Sequence, residues 1–241
     1  MEDFGSWFGG WALIAAAGTG LSAGLAHALS GPDHMAAIAP LVVVTRRRRW
    51  LTGAVWGIGH AVGLWVLGFV LMFMRGFLPI AAISSWSERL VGIVLIAVGL
   101  WGLRKMAVKW VHTHEHVHEG SRHKHVHLHW PGRAHGAGQP GAHSWAGVHS
   151  HAAMGIGVLH GLASGSYILG VLPALILPSL TEAIGYLFTF GIGSIAGMTM
   201  FSWTVGRVAD GLAGAKFDAD GWLLSGSSVA AIAVGCFWLL L

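Results

Sequence analysis

Six stretches of this chain, at about 12–44, 51–74, 88–104, 152–177, 183–205 and 222–241, are almost free of charge. Crossing a bilayer as a helix takes roughly 20 mostly apolar residues. Each stretch is therefore read as one span, the first with a break at Gly31-Pro32 and the third extended by Ile83 to Trp86. Only 10% of the residues are charged, against about 25% in ordinary soluble domains. This excludes a soluble enzyme, and the single Cys236 excludes an internal disulfide or a CxxC redox pair. The start, Met1-Glu2-Asp3, has no basic region, so a cleaved signal peptide is not expected. The expected class is an all-α polytopic membrane protein.

Between the stretches the basic residues are shared unevenly. Arg46 to Arg49, then Arg104, Lys105, Lys109, Arg122, Lys124 and Arg133, then Arg207 and Lys216, fall on one side. That is twelve of the fourteen, leaving Arg75 and Arg89 opposite. By the positive-inside tendency both termini face outward and the segment 105–151 is cytoplasmic. The basic charge is thus a topology signal, and no nucleic-acid partner is needed to explain it.

The two ends of the chain resemble each other. Gly24-Leu25-Ala26-His27-Ala28-Leu29 aligns with Gly157-Val158-Leu159-His160-Gly161-Leu162, and Pro40 then falls on Pro173. Gly57-Ile58-Gly59 with Gly63 aligns with Gly191-Ile192-Gly193 with Gly197, and Ile96-Ala97-Val98-Gly99 with Ile232-Ala233-Val234-Gly235. Three spans per unit is an odd number, so the second unit inserts upside down. The expected organisation is a first three-helix repeat over 1–104, a flexible His-rich loop over 105–151 and a second repeat over 152–241. In that arrangement the first helix of each repeat is interrupted. Inverted repeats with broken helices are a transporter architecture, with the site near the bilayer midplane.

Five ionisable residues lie inside the apolar stretches: His27, Asp33, His34, His60 and His160. Such groups cost several kcal/mol at membrane depth unless paired or hydrated, which makes each a functional candidate. In an unbroken helix, seven residues separate His27 from His34 by about 10.5 Å, too far to share an ion. Pro32 removes a backbone donor and clashes with the preceding turn, so the helix is expected to break there and fold Asp33 and His34 back toward His27. Imidazoles with one carboxylate suit Ni²⁺ or Co²⁺, and also Zn²⁺ or Fe²⁺, better than Mg²⁺ or Ca²⁺. Ser164, Ser166 and Ser194 are weaker polar candidates.

The run His27 to His34, followed by Met35-Ala36-Ala37-Ile38, resembles the signature of the nickel/cobalt transporters. It is closer still to their urease-accessory-type transmembrane relatives. Gly57-Ile58-Gly59-His60 is similar to the second histidine-bearing helix motif of that superfamily, and His160-Gly161-Leu162-Ala163-Ser164-Gly165 to the motif opening its second half. The resemblance covers nearly all the chain except 105–151. It implies six or more helices, passage of Ni²⁺ or Co²⁺, and ligation at His27, Asp33, His34 and His60. The strict pattern has four residues between the first His and the Asp-His pair, and a further Asp. Here five intervene, with no second carboxylate, which leaves the metal open. Other branches of the superfamily are thiol-redox transporters, which the lone Cys236 argues against, and small-solute exporters.

Twelve of the sixteen histidines lie between 112 and 151. Two alternating runs, His112, His114, His116, His118 and His123, His125, His127, His129, suit several weak metal sites. The segment Gly132 to Gly141 is expected to be disordered without metal. His114-Glu115-His116-Val117-His118 matches the zinc-protease pattern HExxH only because every second residue is His. A loop of this composition is similar to that of nickel/cobalt efflux permeases and tilts the expectation toward export.

The expected function is a secondary permease for Ni²⁺ or Co²⁺ in a bacterial inner membrane, with no tightly bound cofactor and no P-loop for ATP. The alternatives are a small-solute exporter and a membrane protein that delivers metal for enzyme maturation. Small-residue helix faces leave room for a homodimer.

Overall fold

The computed structural model of the chain describes residues 2–45, 48–74, 80–118, 121–128, 146–163, 170–212 and 218–240. Among these are eight helices and one hairpin. In chain order they are α1 (Glu2–Ser30), α2 (Pro32–Val44), α3 (Arg49–Phe73), α4 (Ile80–Trp110), β1 (Val111–His118), β2 (Ser121–Leu128), α5 (Ala146–Ala163), α6 (Leu172–Ile176), α7 (Leu180–Leu212) and α8 (Ala219–Leu240).

Five of the helices are long and apolar enough to cross a membrane, over Gly10–Ser30, Arg49–Phe73, Arg89–Val108, Leu180–Leu212 and Asp220–Leu240. This fits an integral membrane protein and differs from the expected six spans at one place. In the stretch 152–177, where the second interrupted helix is expected, α5 contributes the apolar piece His151–Ala163, and α6, with Pro173 in its first turn, has five residues. The stretch 12–44 divides at Gly31, as its Gly-Pro pair requires. Gly31 is extended (φ −75°, ψ 108°) and Pro32 opens α2, where its missing N–H costs nothing. The 13 residues of α2 rise about 20 Å, short of the roughly 30 Å hydrocarbon core.

The alternating histidine runs form an antiparallel hairpin rather than an irregular loop. Its register pairs His112 with His127, His114 with His125 and His116 with His123. A period of two, with Val and Thr interleaved, fits a pleated strand. His129 and the segment 132–141 lie outside the described residues, as do Ser164 and Ser166.

Glycine sets the packing. α1 lies along α7, α3 along both α5 and α7, and α4 along α8, while α2 is wedged against α8, α4 and α7. At the contacts, glycine lets one backbone touch another. A Cβ at Gly157 would fall on the Trp56 carbonyl, and one at Gly24 on the Phe190 carbonyl. Likewise Gly59 meets the Met154 carbonyl and Gly193 that of Leu21. At the α4–α8 contact, a Cβ at Gly99 would lie 2.6 Å from the Ser228 carbonyl and one at Gly235 2.6 Å from that of Gly92. Small residues at helix contacts are the usual means of association where no hydrophobic drive operates between helices.

At one end, buried Arg49 ties three elements together. Its side chain donates to the Thr45 carbonyl (2.9 Å) and the Gly206 carbonyl (3.1 Å) and meets Asp210 at 3.2 Å.

Two substitutions in α5 separate packing from propensity. Gly155 has open space around it, so Gly155→Ala is expected to leave thermal stability in detergent unchanged or raise it by up to about 1 kcal/mol. Gly157→Ala forces a Cβ onto α3 and is expected to cost about 1–3 kcal/mol. A melting curve in which the two variants coincide would refute this account of the interface.

Candidate metal centre

All five ionisable residues singled out within the apolar stretches come together. His27 ends α1, Asp33 and His34 open α2, His60 lies mid-way along α3, and His160 is in the last turn of α5. His34, His60 and His160 are essentially inaccessible, and Asp33 and His27 are buried at 5% and 9% exposure. The helix break accomplishes what a straight helix forbids: the His27 and His34 rings stand 4.4 Å apart, centroid to centroid. The shortest ring separations all involve His34, which lies 4.9 Å from His60 and 4.7 Å from His160.

Glycines make the approach possible. A Cβ at Gly31 would strike the His34 Nδ1 position and lie 2.9 Å from Asp33 Oδ1. One at Gly161 would fall on the His60 carbonyl, so the glycine beside His160 is what lets α5 rest directly on α3 at His60.

The polar contacts are specific. A carboxylate only accepts, so His34 donates from Nδ1 to Asp33 Oδ1 at 2.9 Å and His160 from Nε2 to Asp33 Oδ2 at 3.1 Å. Among the described residues, His34 Nε2, His160 Nδ1 and both nitrogens of His60 are buried with no hydrogen-bond partner. A buried polar atom left unpaired costs about 1–3 kcal/mol. Four such nitrogens in one place are an arrangement that folding alone does not favour, and the lone pair that each of the three neutral rings carries is of the kind that can ligate a metal. Two groups have their ligand atoms within 4.8 Å of one another: His27, His34 and His60, and Asp33, His34 and His160. Ligand atoms about 2.1 Å from a tetrahedral ion lie about 3.4 Å from one another, so either group would draw in around an ion that it held.

Trp56 is a part of this centre that the sequence reading passed over. Its indole is fully buried and stacks on His60 with centroids 5.4 Å apart and an angle of 8°. It also lies 5.2 Å from His160 and 5.9 Å from His34. The signal was present, since Trp56 stands four residues before His60 on one helix face. Phe190 of α7 closes the side near His27 at 5.4 Å. Ser194, aligned with His60 in the sequence repeat, donates instead to the Phe190 carbonyl at 3.0 Å, with the Gly24 carbonyl at 3.3 Å. It is not in either ligand group. Of the loop histidines, His112 to His127 sit at the hairpin positions given above, and nothing in the register brings them to the buried centre.

The chain is 29% identical over 192 residues to urease accessory protein UreH of Bacillus sp. (strain TB-90), covering 78% of this chain and 74% of that protein. It is also 30% identical over 204 residues to chloroplast protein FOR GROWTH AND FERTILITY 2 of Arabidopsis thaliana. With FOR GROWTH AND FERTILITY 1 of the same plant the identity is 27% over 216 residues. These alignments cover 83% and 84% of this chain but 49% and 52% of the plant proteins, so the chain spans about half the length of those relatives. No family model and no solved structure matches. The chain is thus homologous to UreH and related to the two plant proteins, and none of the three bears an enzyme's name.

Space at the helix break should be as important as the ligands themselves. With the loop histidines from His112 to His143 replaced by serine, Gly31→Ala is expected to weaken Co²⁺ binding by roughly tenfold or more. Ser194→Ala should leave it within about twofold, since that hydroxyl lies outside both ligand groups. Equilibrium dialysis checks both, and unchanged affinity in Gly31→Ala would contradict the role given to the break.

Proposed function

We propose that this chain is a secondary membrane permease for a divalent transition-metal ion, Ni²⁺ or Co²⁺ first, with Zn²⁺ or Fe²⁺ compatible with the same ligands. The observation that carries the proposal is the burial of four imidazoles and one carboxylate at the α1–α2 break, with several ring nitrogens unpartnered. Homology to a urease accessory protein supports a nickel theme. The ion sheds part of its water, is held at the cluster formed by His27, Asp33, His34, His60 and His160, and leaves when the packing around α2 changes. Ligation needs neutral rings, so protons compete for the site and proton coupling is chemically available.

The reading includes an inverted pair of three-helix units, supported by the reciprocal glycine contacts at aligned positions, Gly157 with Trp56 against Gly24 with Phe190, and Gly99 with Ser228 against Gly235 with Gly92. It places both termini outside a bacterial inner membrane and the hairpin in the cytoplasm. There, cross-strand histidine positions suit collection of metal and favour export over uptake.

One rival has an observation of its own. The name of UreH, a urease accessory protein, favours a non-transporting protein that delivers metal to an enzyme under assembly. The full chain reconstituted in liposomes with a metal-sensitive dye separates the two. For a permease, His34→Ala abolishes Ni²⁺ and Co²⁺ flux, and replacing the loop histidines by serine lowers it by less than about tenfold. For a delivery protein, there is no flux in any variant, and in cells the loop replacement, not His34→Ala, abolishes enzyme maturation. Flux of a small solute that persists under tight chelation would favour an exporter instead.

A further inference from the structure

Asp33 is buried beside His34 and His160 and counts among the residues whose donor atoms converge. Its bonding sets it apart from the histidines. Both carboxylate oxygens already accept an imidazole N–H, Oδ1 from His34 and Oδ2 from His160. Each of these rings presents its other nitrogen, His34 Nε2 and His160 Nδ1, to the interior with no partner among the described residues. A neutral imidazole with its proton on one nitrogen has its lone pair on the other. The carboxylate thus settles which nitrogen of each of these two rings keeps its lone pair.

From this geometry, and resting on the metal-permease reading, we infer that Asp33 is a positioning residue rather than a ligand. In this assignment the ion is held by the imidazoles of His27, His34 through Nε2, and His60. Asp33 fixes the His34 tautomer and is itself braced by His160.

Three observations support the division of labour. The His27–His34–His60 group converges within 4.8 Å without any carboxylate. The Asp33–His34 pair is nested against Gly31, where a Cβ would collide with it, so the carboxylate is anchored at the helix break. His60 has neither nitrogen engaged, and its plane is set by the Trp56 stack instead of by a hydrogen bond. Carboxylate–histidine–metal relays of this kind orient the ring and raise its basicity, and their loss typically weakens metal binding 10- to 100-fold. A shell of neutral imidazoles also narrows the cargo, favouring Ni²⁺, Co²⁺, Zn²⁺ or Cu²⁺ over Mg²⁺, Ca²⁺ and Mn²⁺. The balancing negative charge stands one bond further out.

The test is X-ray absorption of Co²⁺ bound to the full chain with its loop histidines replaced by serine, alongside the same protein carrying Asp33→Asn. The expected result is a shell with three imidazoles and no bound carboxylate. Asp33→Asn should keep the imidazole number while lowering Co²⁺ affinity by roughly 10- to 100-fold. A carboxylate in the Co²⁺ shell of the parent protein would overturn the assignment while leaving the metal site intact, and this readout does not depend on any variant folding. Unchanged affinity in Asp33→Asn, or loss of an imidazole-independent oxygen ligand, would also overturn it. If the folded parent binds no Co²⁺ at all, the metal-permease reading fails and the assignment of Asp33 falls with it.

Discussion

Everything around the centre is arranged to keep a charged carboxylate in an apolar helix bundle. An ionised side chain in such surroundings is tolerable only when paired and hydrogen-bonded. Asp33 meets that condition with two imidazole donors from two different helices, His34 at 2.9 Å and His160 at 3.1 Å. The pairing in turn requires α2 to begin where it does and α5 to rest on α3 at the level of His60. The break at Gly31-Pro32 supplies the first requirement and the glycine at 161 the second. A change at either glycine therefore acts on the carboxylate without touching it.

The helices that carry the centre are tied across the chain more than within each end of it. α1 packs along α7 and α5 along α3, so the first helix of each proposed unit rests on the second helix of the other. Backbone contact through glycine gives these pairs little freedom to slide, because interiors packed at this density do not deform continuously. The short helix α2 is different: it touches several elements and is buried on the side of Asp33, His34, Ala37, Ile38 and Leu41. Its N-terminus carries two site residues. Its far end is held through the Thr45 carbonyl by Arg49, which also grips α7.

The sequence reading located the centre residue by residue because ionisable groups in lipid-length apolar runs are conspicuous, and because Gly-Pro is a strong helix breaker. It also anticipated that the break would bring His34 to His27. It missed Trp56, whose apolar bulk looks like any other membrane tryptophan until its stack on His60 is seen. The alignment of Pro173 with Pro40 carries the expectation of a second interrupted helix over 152–177, where Pro173 lies in the first turn of the five-residue α6. The period of two in the alternating histidines suits an extended chain as well as a flexible loop, and it matches the hairpin register.

By itself the sequence determined the apolar, helical character of the chain, the position of the break at Gly31-Pro32 and the identity of the four histidines and one carboxylate that cluster there. These follow from local chemistry: segment length against bilayer thickness, proline's missing donor, and the cost of burying charge. Only the tertiary structure decided which nitrogen of His34 and of His160 meets the carboxylate, that one carboxylate serves two rings, and that an indole replaces a hydrogen bond at His60. Those depend on which helices lie side by side, and that is fixed by glycine contacts between residues far apart in the chain, where no local pattern reaches.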